Sequence, residues 1–158
     1  MSEQIGTAEV EQRDSRLRTI TEGEWAGWSQ WISDAFETRA GPFYERVDKD
    51  GNGISAFRAG QEQMNGGGFM HGGCLMTFAD SALFTIARKA MENHFGVTVN
   101  LSGDFLDSAR VGEFIEARGE VTRGGKSTVF VRGLVTADGR PVLSFTGIIK
   151  KRGPRPAA

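Results

Sequence analysis

From Cys74 to Met91 apolar side chains predominate, with neither proline nor glycine inside the run. Leu, Met, Ala and Phe in that density predict a helix that is apolar almost all round and therefore buried. Beyond Gly96 the pattern changes to alternation. Val97–Leu101, Phe114–Thr122, Ser127–Thr136 and Pro141–Lys150 read as strands, with turns at Arg123–Lys126 and Asp138–Gly139. Turns spaced this way predict long antiparallel strands in a meander. Ahead of the helix, Phe43–Val47 and Ile54–Phe57 flank Asp48–Gly53 and read as a hairpin. Earlier still, Trp25, Trp28, Ile32, Ala35 and Phe36 recur at helical spacing behind a Thr21/Glu24 capping box. They predict an extra N-terminal helix, stopped by Gly41-Pro42. The fold class expected is α+β: a curved antiparallel sheet wrapped around one long central helix, with an extra N-terminal helix.

Composition changes this picture little. A chain of 158 residues is expected to form one domain, over residues 15–151, between a flexible N-terminal segment (1–14) and a flexible tail (152–158). A formal net charge of −1 offers no general attraction for nucleic acid or a membrane surface. No apolar run reaches the roughly 18–20 residues of a membrane span, and the N-terminus has no apolar leader core. A cytoplasmic location is the expectation. The lone Cys74 excludes an intrachain disulfide framework.

The candidate chemistry lies in Asn65–Ala90 (N-G-G-G-F-M-H-G-G-C-L-M-T-F-A-D-S-A-L-F-T-I-A-R-K-A). Glycines around His71 leave backbone amides bare, and a helix N-terminus beneath such a loop favours an oxygen carrying negative charge. Asp80, on an apolar helix, is costly to bury and needs a reason. Other readings are weaker. His71, Cys74, Asp80 and His94 lack any paired spacing for zinc, so no metal is expected. Cys74 at a helix start has a route to a lowered thiol pKa but no distinct base, which leaves it a minor option as nucleophile. Asp48, Asp50 and Asn52 match the first half of a calcium loop, but the twelfth position is Ala59 where a bidentate glutamate belongs. Arg123-Gly124-Gly125-Lys126-Ser127 resembles the end of a P-loop, yet Glu120 stands where glycine is required and a strand follows. Arg123 and Lys126 remain candidates for touching phosphates as exposed point charges.

Hydrolysis of an activated acyl group suits the remaining groups. Amides at Gly72 or Gly73 can hold the oxyanion that forms when water attacks a carbonyl, and Asp80 can act as base or nucleophile. Eight residues of helix, however, separate Gly72 from Asp80 by roughly 12 Å. Both cannot reach one carbonyl carbon, so cooperation requires two chains and a site across a dimer interface.

The run Asn65-(x5)-His71-Gly72-Gly73-(x6)-Asp80, followed by Gly96-Val97-Thr98-Val99-Asn100 and Phe105-Leu106, closely resembles the hotdog-fold acyl-CoA thioesterases of the phenylacetate-pathway (PaaI-like) type, over about residues 43–150. The resemblance implies a sheet curled around the central helix, in homodimers with a continuous sheet that often pair into homotetramers. It implies that Asp80 activates the hydrolytic water and that Thr98 helps hold it. The Gly72 amide would polarise the thioester carbonyl, with Asn65 and His71 supporting that loop from the opposite subunit. Gly73 would bind substrate, and Arg123 and Lys126 would lie near the CoA phosphates. Coenzyme A is then part of the substrate, and no separate cofactor is expected. The longer N-terminus and Asp107-Ser108, where the family often has Arg-Pro, depart from the pattern. A hydratase or dehydratase of the same fold and a non-catalytic acyl-CoA-binding module are the alternatives.

Overall fold

A computed structural model of the protein describes residues 16–154. The N-terminal segment 1–14 and residues 155–158 lie outside the described residues. One eight-stranded antiparallel sheet holds β1 (Leu17–Thr19), β2 (Ser29–Trp31), β3 (Tyr44–Val47), β4 (Gly53–Arg58), β5 (His94–Phe105), β6 (Phe114–Gly124), β7 (Thr128–Ala137) and β8 (Arg140–Pro154). The order across the sheet is β1-β2-β3-β4-β6-β7-β8-β5. Strands β6 to β8 form the expected meander, whereas β5 pairs with β8 and ends the sheet. The tail expected to be flexible from residue 152 is in fact strand as far as Pro154.

The long helix, α2 (Gly72–Met91), starts two residues earlier than its apolar composition suggests, because His71 caps it. Phe78, Ala79, Ala82, Leu83 and Ala87 are fully buried on it, and the sheet closes over them with Phe57, Val129, Val135, Leu143 and Phe145. Phe78 meets Phe43 and Phe57 with ring centroids 5.1 and 4.7 Å away. Burying one such ring is worth about 1.5–3 kcal/mol. The sheet can lie this close only where a side chain is missing. A Cβ at Gly147 would collide with Leu83, and one at Gly53 with the Thr85 carbonyl.

The extra N-terminal helix is much shorter than expected. Only α1 (Ala35–Ala40) is helical, capped by Asp34, whose carboxylate accepts from the amides of Phe36 and Glu37 at 3.0 and 2.9 Å. Thr21 to Trp31 instead form the loop and second strand of a hairpin. Gly23 and Gly27 adopt φ of +76° and +85°, which a continuing helix does not allow. Glu24, the supposed capping-box partner, pairs with Arg58. The tryptophans make a second, small core from alternate positions of β4: Trp28 packs on Ile54 and Ala56. Trp25 stacks on Tyr44 at 4.2 Å and Phe114 at 5.7 Å. Asp48–Gly53 is a turn in which the Asp48 carboxylate accepts from the amides of Asp50 and Asn52, and those bonds hold its pKa below the usual range.

Candidate active site

The residues singled out by sequence fall into three places. Asn65, His71, Gly72 and Gly73 form the loop that enters α2. The Asn65 side-chain oxygen accepts from the amides of Gly67 and Phe69 at 2.8 and 3.2 Å, and so folds the glycine run back on itself. His71 Nδ1 accepts from the Gly73 amide at 2.9 Å, which satisfies one of the orphan donors at the helix start. Gly73 is therefore already engaged. The Gly72 amide makes no hydrogen bond among the described residues. Of the two amides considered from sequence, the structure leaves Gly72 as the free donor.

Gly72 lines an open cleft of about 370 Å3 together with Asn65, Phe69, Leu75, Phe105 and Leu106 among others. A Cβ at Gly72 would lie 3.0 Å from the Phe105 ring, so the ring packs against the side of Gly72 where a side chain would stand. Asp107 and Ser108, where the chain departs from the family pattern, form part of the same wall. Arg140 holds them: it donates to Asp107 Oδ2 at 3.0 Å, to the Ser108 carbonyl at 2.8 Å and to Glu113 at 2.7 Å. Phe105 and Leu106 entered the sequence reading only as family markers. Exposures of 56% and 53% for two large apolar residues beside a free amide are the structural sign of their place in the cleft.

The second place is the middle of α2. Thr98 Oγ1 donates to Asp80 Oδ1 at 2.6 Å, and the other Asp80 oxygen has no partner among the described residues. Thr98 comes from β5 beside a bulge. The register steps from Thr98↔Ile149 to Asn100↔Ile148, leaving Val99 as an extra residue, and such a bulge re-aims the neighbouring side chain. The third place is the β6–β7 turn. Arg123 and Lys126 are exposed there, and a Cβ at Gly124 would lie 3.4 Å from Ala90. This turn thus adjoins the C-terminal end of α2, about 27 Å of helix from Gly72. Within one chain the basic turn meets neither the loop nor the Thr98–Asp80 pair.

Cys74 is not set up as a nucleophile. It packs on α1 with its thiol 3.9 Å from the Ala40 carbonyl, and burial, aided by Glu62, pushes its pKa up to about 11. Burial here outweighs the helix N-terminus that favoured a thiolate. Among the described residues no three His, Cys, Asp or Glu side chains converge as a metal site, and no helix is long and apolar enough to cross a membrane.

The curved antiparallel sheet around a buried helix is the hotdog fold. Residues 67–144 match the thioesterase superfamily. A Pseudomonas aeruginosa protein, provisionally named an esterase, is 34% identical over 109 residues, 68% of this chain and 81% of that one. The PaaI protein from the phenylacetic acid degradation operon of Escherichia coli superposes with a TM-score of 0.69 at 22% identity, covering 78% of this chain and 88% of that one. A hypothetical thioesterase of Streptococcus pneumoniae, solved with coenzyme A, gives 0.64 at 23% identity over 72% and 88%. The chain belongs to the thioesterase superfamily and is a thioester hydrolase.

Proposed function

We propose that the protein hydrolyses acyl-CoA or aryl-acyl-CoA thioesters to the free acid and CoA, at sites shared between two subunits. The observation that carries this reading is the Thr98–Asp80 hydrogen bond. It fixes the carboxylate by one oxygen and leaves the other able to take a proton from water, as a general base requires. The Gly72 amide from the partner subunit would then meet the thioester carbonyl and stabilise the oxyanion that forms as water attacks. Collapse of that intermediate expels CoA thiolate, which takes up a proton. Asn65 and His71 keep the loop in shape. Arg123 and Lys126 would serve as exposed contacts for CoA phosphates, and no cofactor beyond the substrate's own CoA is invoked.

Helix geometry supports the sharing, since Gly72 and Asp80 are about 12 Å apart on one α2. So does β5, which ends the sheet with Phe95 and Val99 47% and 58% exposed. A long strand edge with apolar side chains invites pairing with a second copy. A structural neighbour solved with coenzyme A is consistent with that substrate class.

The test is CoA release from acetyl-, hexanoyl-, benzoyl- and phenylacetyl-CoA by the wild type and Asp80→Asn. A loss of about 10²–10⁴-fold is expected for the variant with unchanged melting. Equal, appreciable turnover by both proteins would remove Asp80 from the mechanism.

A further inference from the structure

Just ahead of the glycine loop the chain makes a short 3-10 turn, Gln61–Gln63. Its last residue, Gln63, is buried, and a side-chain amide is seldom buried unless its polar atoms are bonded. Here each is. Nε2 donates to the carbonyls of Ala40 and Gly41 at 2.9 and 3.1 Å, and Oε1 accepts from the Gly60 amide at 2.7 Å. The two carbonyls belong to the last residue of α1 and to its C-cap. The side chain therefore ties the turn to the end of α1. The Cys74 thiol, in the first turn of α2, meets the same Ala40 carbonyl at 3.9 Å.

The backbone of Gln63 holds the loop. Its carbonyl accepts from the His71 amide at 2.8 Å, Met64 and Met70 form an antiparallel bridge, and the Asn65 amide donates to the Phe69 carbonyl at 2.6 Å. These pairings make a narrow stem with Gln63 and His71 at its base and Gly66, Gly67 and Gly68 at its tip. His71 in turn takes the Gly73 amide on Nδ1. Gly72 thus sits between two residues whose placement traces back to Gln63.

Resting on the hydrolase reading above, we infer that Gln63 is a positioning residue for the reaction: its side chain anchors the base of the loop to α1, its carbonyl fixes His71, and together they hold the Gly72 amide in the place the oxyanion needs. Gln63 and α1 both lie ahead of residues 67–144, the stretch that matches the thioesterase superfamily. A donor inside the match thus depends on a segment outside it. The demand on placement is strict, because an oxyanion donor works only about 3 Å from the developing charge. A displacement on the order of 1 Å can cost about 10²-fold in rate.

The experiment measures kcat and KM for Gln63→Met in two backgrounds, the wild-type chain and Gly72→Pro, which lacks the amide donor. The substrate is the acyl-CoA of the panel that turns over fastest. Met keeps the length of the side chain and loses all three bonds. In the wild-type chain kcat should fall about tenfold or more, with KM changed by less than about twofold. In Gly72→Pro the same substitution should change kcat by less than about twofold, since the group that Gln63 positions is already gone. Gln63→Glu is the second variant. It keeps the acceptor for Gly60 but sets an oxygen against the Ala40 and Gly41 carbonyls, and the same pattern across the two backgrounds is expected. A kcat that does not fall, a loss carried mainly by KM, or equal losses in both backgrounds overturns the inference. Failure of both variants to fold overturns it too, because Gln63 then serves the stability of the fold alone. A wild type inactive on every thioester sinks the hydrolase reading and this inference with it, whereas equal losses beside an active wild type sink this one alone.

Discussion

At the N-terminal end of α2 the backbone sets up the proposed oxyanion donor. His71 engages the Gly73 amide and Asn65 those of Gly67 and Phe69. The Gly72 amide, at the entrance of the helix, has no partner among the described residues. Midway along the same helix a single side chain does the corresponding work: Thr98 holds one oxygen of Asp80 at 2.6 Å. The difference teaches where each half of the site is vulnerable. The donor at Gly72 is a property of the loop as a whole, and no one side-chain truncation removes it. The proposed base, Asp80, depends on one residue and one neighbour. Since about 12 Å of helix separates them, the two halves are expected to serve different active sites.

The comparison sharpens first at Gly72. It is the first residue inside α2, where proline is tolerated, and His71 before it has φ −63° and ψ 129°, the extended conformation a residue preceding proline adopts. Gly72→Pro should therefore delete the amide donor while leaving the helix formed, with only the Phe105 ring obliged to move. Its kcat should fall by about 10²–10³-fold, with little change in melting temperature or helical circular dichroism. Near-normal kcat in a folded Gly72→Pro protein would place the oxyanion elsewhere. A smaller effect is expected at Thr98. Thr98→Val keeps the shape and loses the donor, and should lower kcat by about tenfold, in keeping with one hydrogen bond to a charged acceptor. Thr98→Ser should recover most of the rate. If Val and Ser behave alike, Thr98 packs β5 rather than orienting Asp80.

Both halves of the proposed site stand out in the sequence because each is local. A glycine run before a histidine announces free amides, and one carboxylate on an apolar helix announces a functional burden, wherever the rest of the chain goes. The link between Asp80 and Thr98 came only through family resemblance, since it spans the turn into β5 and depends on the Val99 bulge. The stretch from Thr21 to Trp31 was misread as helix because Trp25, Trp28 and Phe36 share helical spacing. Gly23 and Gly27, both with positive φ, were the contrary signal, and they turn that spacing into a hairpin loop stacked on Tyr44 and Phe114. With the hairpin missed, α1 was drawn too long.

The most direct test of the shared site mixes Asp80→Asn chains with Gly72→Pro chains, each inactive alone, under conditions where subunits exchange. If the base and the donor come from different chains, half of the dimers formed at equal mixing are mixed, and each holds one intact site, so hydrolysis should return to about a quarter of the wild-type rate. If hydrolysis does not return although exchange is demonstrated, the two groups belong to one chain and the shared site is wrong.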